Sequence, residues 1–116
     1  MGMTTLNLEA ATNADWRQPF KAIDASGGNL SLTGAKIRMD VRDRGGNDAL
    51  SLAIGDGLTV TDAAAGEFEL EVDREAMAAV APGLYRFDLL IEIDGLALTA
   101  ARGTVNIRDG VTAWGG

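Results

Sequence analysis

"APGLYRFDLLIEIDG", residues 81–95, decides how the rest of the chain reads. The Pro-Gly pair at 82 and 83 ends whatever precedes it. Beyond it Tyr85, Phe87, Leu89, Ile91 and Ile93 alternate with Arg86, Asp88, Glu92 and Asp94. Period two is the signature of a strand with one face buried and one wet. Only Leu90 breaks it. A tyrosine two residues after the glycine fits a corner of a β-sandwich, where the ring turns inward and its hydroxyl bonds a backbone group a few residues upstream. Pro82 stiffens such a corner, Gly83 gives the backbone its freedom, and Tyr85 is the first inward residue of the strand. An ordinary core tyrosine is the alternative, and both readings bury the ring.

Working outward, the same alternation recurs. In "KIRMDVRD" Ile37, Met39 and Val41 face one way and Lys36, Arg38, Asp40 and Arg42 the other. In "GEFELEVD" Phe68, Leu70 and Val72 alternate with Glu67, Glu69, Glu71 and Asp73. The Asp94-Gly95 pair is a hairpin turn signal leading to Leu96 and Leu98, then to Val105 and Ile107. The apolar parity changes between those pairs, so a bulge is expected, and Gly103 is the residue that invites it. Weaker strands lie at "TLNLE", "DWRQPFKAID", "ALSLAI" and "LTVT". Pro19 lacks a donor, which makes its strand an edge. One short helical turn is expected at 73–81, capped by Asp73 and stopped by Pro82-Gly83.

About seven to eight short strands, with Gly-, Asp- and Asn-rich turns and no helix long enough for a parallel crossover, predict an all-β, immunoglobulin-like antiparallel β-sandwich with one short helical turn. Residues 1–116 are expected to form a single domain, with a core of about 15–108, an N-terminal strand or arm at 1–14 and a C-terminal tail at 109–116. Lettered from the Trp16 strand as A, 35–43 becomes B and 66–73 becomes E. The topology then makes these two antiparallel neighbours, with Lys36, Arg38 and Arg42 facing Glu67, Glu69 and Glu71.

Composition excludes more than it suggests. The 116 residues contain no cysteine and no histidine, which removes the thiolate and the commonest general base and metal ligand. Seventeen acidic against ten basic residues give a net charge of −7, the wrong sign for nucleic acid. No apolar run approaches a membrane span, and the N-terminal residues lack the order of a signal peptide, so the expected location is the cytoplasm. "GDGLTV" at 55–60 lacks the third glycine and the following helix of a dinucleotide loop. Ser26, Ser31 and Ser51 sit in turns or strands without a nucleophile elbow. Asp43, Asn47, Asp48, Asp56 and Asp62 could bind calcium through oxygen, but aspartate beside glycine is first of all turn chemistry. Glu67, Glu69 and Glu71 read as a wet sheet face. The expectation is no enzyme, no cofactor and no metal. Val111 and Trp114, in a Gly-flanked tail, are the candidate interaction surface, with Trp114 either folded back or open to a partner.

The stretches "DWRQPFKAIDASGGNLSLTGAKIRMDVRD", "GEFELEV", "MAAVAPGLYRFDLLI" and "GTVNIRDGVT" together resemble the immunoglobulin-like modules of tailed-phage and prophage structural proteins, such as those at the N-terminus of baseplate upper proteins. The resemblance implies a non-enzymatic tail- or baseplate-associated interaction module, with the virion as a later location. A small-ligand or carbohydrate-binding sandwich of the bacterial host, stacking sugars on Trp16 or Trp114, is the alternative. Either protein partners or self-association are expected along an edge strand. With Pro19 guarding one edge and the bulge interrupting the other, residues 104–114 are the expected docking segment.

Overall fold

The computed structural model describes residues 4–24 and 26–114. The first three residues of the expected arm and the last two of the expected tail lie outside them. The elements are β1 (Thr4–Ala11), β2 (Trp16–Lys21), β3 (Lys36–Arg42), β4 (Asp48–Ile54), β5 (Gly57–Asp62), β6 (Glu67–Val72), α1 (Arg74–Ala78), β7 (Gly83–Ile93) and β8 (Leu96–Arg108). All the strands expected from the alternating pattern are present. Their backbone ladder is continuous in the order β1-β8-β7-β3-β4-β5-β6-β2. Only two residue pairs, Ala53–Gly57 and Ile54–Leu58, join β4 to β5. At that thin link the ladder folds over, so that β1, β8, β7, β3 and β4 form one layer and β5, β6 and β2 the other.

The inward residues of both layers meet in one core. Ile37, Met39, Val41, Leu89, Ile91, Val105 and Ile107 come from the first layer, and Leu58, Phe68, Leu70, Val72 and Trp16 from the second. Phe20 stacks on Phe68 with ring centroids 5.2 Å apart, fixing β2 on β6. The chain is an immunoglobulin-like β-sandwich. Its ladders are antiparallel except where β1 joins β8 and at the short β4–β5 link.

Three expectations about position fail. β3 and β6 are not neighbours: β3 lies between β7 and β4, and β6 between β2 and β5. The lettering is displaced by one because β1 is a full strand of the sheet, so the Trp16 strand is B and β3 is C. The complementary charge stripes find nearer partners. Arg17 on β2 reaches Glu69 at 2.8 Å and Glu71 at 3.7 Å, while Arg42 on β3 reaches Asp48 at 2.8 Å.

The bulge is also elsewhere. Leu89 pairs with Ala101 and Leu90 with Thr99, leaving Ala100 as the extra residue, and Gly103 instead faces Leu6 of β1. Finally, β8 is not an edge. All eight residues of β1 pair with it in parallel, from Thr4–Ala101 to Ala11–Arg108. The free edges belong to β1 and to β2, the second of which carries Pro19 as expected.

α1 is shorter than expected, because the amides of Ala79 and Val80 close on the carbonyls of Ala76 and Met77 in three-residue turns that end the helix. Its first turn is capped twice. The Asp73 carboxylate accepts from the Ala76 amide at 2.8 Å and Asp15 from the Arg74 amide at 2.7 Å.

The tyrosine corner is present. Tyr85 is buried and its hydroxyl donates to the Ala81 carbonyl at 2.5 Å, closing the Pro82-Gly83 turn. Replacing Tyr85 by Phe removes that donor and leaves the carbonyl unmatched, so the Tyr85→Phe protein should lose about 1 kcal/mol in urea denaturation with an unchanged slope.

Two loops are built on aspartates. Asp43 accepts from the amides of Gly45 and Asn47 at 2.9 and 3.0 Å. Asp24 accepts from the Ser26 hydroxyl at 2.7 Å and from the Gly28 amide at 2.9 Å. These bonds favour the charged form. They hold Asp43, chiefly through the Asn47 amide, and Asp24, chiefly through the Ser26 hydroxyl, below the usual carboxylate range. A depressed folded value stabilises the fold above the unfolded value, and that contribution disappears as pH falls through the folded one. The turns should therefore stay closed at neutral pH and open only below about pH 4, the ordinary aspartate range. Amide exchange at Gly45 and Asn47, followed down a pH series with intrinsic rates corrected, checks this. Faster opening already at pH 6 would refute it.

Candidate functional site

The outward face of the five-strand layer carries the most distinctive chemistry of the molecule. Strand register sorts its side chains into rows. One row across β3, β7, β8 and β1 reads Arg42, Arg86, Thr104, Asn7, and the next reads Asp40, Asp88, Arg102, Thr5. Arg42 thus lies directly across from Arg86, and Asp40 from Asp88. Like charges opposed across a ladder are destabilising, normally by a few tenths of a kcal/mol to about 1 kcal/mol.

The β3 side of this face resolves its charges internally. Arg42 bonds Asp48 at 2.8 Å and reaches Asp40 at 3.5 Å, and Ser51 donates to Asp40 at 2.6 Å. Asp48 thereby holds the Arg42 guanidinium still more firmly in its charged form. The β7 side does not. Among the described residues, Arg86, Asp88 and Arg102 make no ion pair. They line a shallow concavity of about 680 Å³ together with Asp40, Arg42 and Leu90. Above and below the charges, two leucines of β7 are open to solvent, Leu84 at 47% and Leu90 at 38%.

The sequence-predicted residues fall elsewhere. Pro82, Gly83 and Tyr85 form the corner at one end of β7. Trp114 is folded back: its indole N–H donates to the Asn13 carbonyl and the Arg74 guanidinium lies 4.4 Å from its ring centroid, although 65% of the residue stays exposed. Asn13 in turn donates to the Thr112 carbonyl at 2.8 Å, so 112–114 is tied to the β1–β2 turn. Val111 is 98% exposed. The docking segment expected at 104–114 is therefore divided between a strand paired on both sides and a tethered tail. Trp16 is 3% exposed, with its indole nitrogen buried and unpartnered, which removes it as a stacking platform. Of the candidate calcium ligands, Asp43 and Asp62 each turn one oxygen to loop amides. Among the described residues no three acidic side chains come together as a metal site.

Sequence reasoning placed Arg86 and Asp88 on the wet face of their strand and saw Leu90 break its alternation. That break was the visible signal of the β7 surface.

No protein-family model matches this chain, and no curated protein matches it. A solved structure of a VGSC beta subunit, from work on multimeric cell-adhesive interactions, is 8% identical, with a TM-score of 0.43 over 91% of this chain and 92% of the other. A family 123 glycoside hydrolase from Clostridium perfringens is 14% identical, with a TM-score of 0.38 over 93% of this chain and 23% of its own length. Neither likeness is strong enough to transfer a function.

Proposed function

We propose that this chain is a non-enzymatic protein-interaction module whose partner docks on the outer face of β3, β7 and β8. One observation carries the reading: the central strand of that layer presents an unpaired arginine and an unpaired aspartate between two exposed leucines. Water satisfies exposed charges and single exposed leucines are ordinary, so it is the grouping of two unpaired opposite charges between two leucines on the central strand that supports a docked partner. Arginine is also enriched at interfaces, where its planar fork finds carboxylates and carbonyls.

The setting proposed is a virion tail or baseplate, entered after cytoplasmic synthesis. This rests on the sequence resemblance to phage structural modules. Two measurements test the two parts. A photo-crosslinking amino acid at Leu90 should capture protein partners in producing cells, while the same residue at Glu71, exposed on the opposite layer, should not. Capture at Glu71 alone would overturn the site. Mass spectrometry of purified induced particles should find the chain, and its consistent absence would remove the virion setting.

A further inference from the structure

We propose that the partner of this face is a second copy of the same chain, docked layer to layer about a two-fold axis that passes over Phe87. The inference rests on the docking face proposed above and names its occupant.

The argument is the symmetry of the surface itself. Along β7 the outward residues read Leu84, Arg86, Asp88, Leu90, with Phe87 at the centre. Reversing the strand exchanges Arg86 with Asp88 and Leu84 with Leu90. An antiparallel copy laid on this face therefore sets Arg86 against the other copy's Asp88, Asp88 against its Arg86, and each exposed leucine against the other.

The neighbouring strand obeys the same centre. Val41 of β3 is registered with Phe87, and Arg42 and Asp40 flank it, so the row of two arginines lies over the row of two aspartates. A two-fold interface requires this self-complementarity, because every contact is made twice. Docking sets Arg86 and Asp88, which make no ion pair in the monomer, against opposite charges, and adds an opposite charge to Arg42 and Asp40, which already bond Asp48 and Ser51. Arg38, registered with Leu90, is brought over the Arg44 turn and Arg102 over Thr104, so neither of these two arginines gains an opposite charge. Five strands at about 4.8 Å spacing make a face roughly 20 Å wide. With Leu84 to Leu90 spanning about 20 Å along the strand, the patch is roughly 400 Å² per copy, the scale of a weak, reversible association rather than an obligate dimer.

The test uses reversal of charge. Arg86→Asp and Asp88→Arg, each alone, set like charges together twice across the two-fold. Either should weaken the dimer by about a hundredfold in sedimentation equilibrium. Mixing the two variants restores opposite charges at both positions and should give a heterodimer close to wild-type affinity. That recovery would not follow from a variant that merely misfolds. A wild-type protein monomeric at every accessible concentration would overturn the second-copy inference. Cross-links to a foreign protein at Leu90 would then leave the docking face standing. A wild-type dimer that both variants retain would overturn the inference and place self-association elsewhere.

Discussion

Replacing Gly103 by Ala should detach β1 and cost roughly 2–4 kcal/mol. Gly103 sits at φ 155°, and a Cβ built there would fall within bonding range of the Leu6 backbone oxygen. Leu6 is its registered partner across the β1–β8 ladder. The obstruction is backbone, not the tip of a flexible side chain, so it can be relieved only by moving a strand. β1 is the strand free to move. It is bound to the rest of the sheet on one side, by the ladder, the Thr104–Asn7 bond at 2.9 Å and the exposed Arg108–Glu9 pair. Losing it uncovers Leu8 and the outer side of β8. Hydrogen exchange should show the β1 amides and the outward-bonded amides of β8 losing protection while β3 and β7 keep theirs. A variant with wild-type stability and an intact β1 would show that the close approach is not a constraint.

Met77→Ala should cost about 2–4 kcal/mol, the range for emptying a fully buried site of a long apolar side chain. Met77 is wholly buried, although it lies on a helix of only five residues. Nothing in so short a helix supports it alone. Its place is held by the two aspartate caps at one end and by the buried side chains of Met77 and Val80. Val80 lies just before the Ala81 carbonyl that accepts the Tyr85 hydroxyl, so a loosened α1 should disturb the corner as well. Coupling between Met77→Ala and Tyr85→Phe in a double-mutant cycle should therefore be measurable, whereas Met77→Leu alone should cost less than about 1.5 kcal/mol. Strict additivity of the first two would mean that helix and corner stand independently.

These two sites differ in how far they could be read from the chain. The Tyr85 corner was legible because its determinants are contiguous: proline, glycine and tyrosine within four residues, followed by an alternating strand. Strand existence was legible for the same local reason. Neighbour relations were not. β1, "TTLNLEAA", offers only Leu6 and Leu8 as apolar markers, and its placement depends on Gly103 almost a hundred residues away. The glycine was noticed, but its meaning as a point of backbone approach becomes visible only when the two strands lie together. The parity change between Leu98 and Val105 announced the bulge, but its position at Ala100, an ordinary residue, had no local signal. The charge stripes of β3 and β6 were real and complementary, yet Arg17 and Asp48 satisfy them at shorter range. The docking face shows the same limit. Leu90 was an anomaly in one strand, and it gained a meaning when the register set Arg42 beside Arg86 and Asp40 beside Asp88.

The parallel union of β1 with β8 has a consequence for time. β1 precedes its partner β8 in the chain by 97 residues at the Thr104–Asn7 bond, so it waits for β8 to be made. While the ribosome makes everything between, β1 has no partner and the growing sheet has no final border. Closure of such a distant pair is slow, because the loop entropy is spent before the contact repays it. The nascent chain therefore passes through a stage in which β7 or β8 is an unshielded template for strangers. Until β1 docks, the open side of β8 is the surface on which neighbouring copies of the chain can pair.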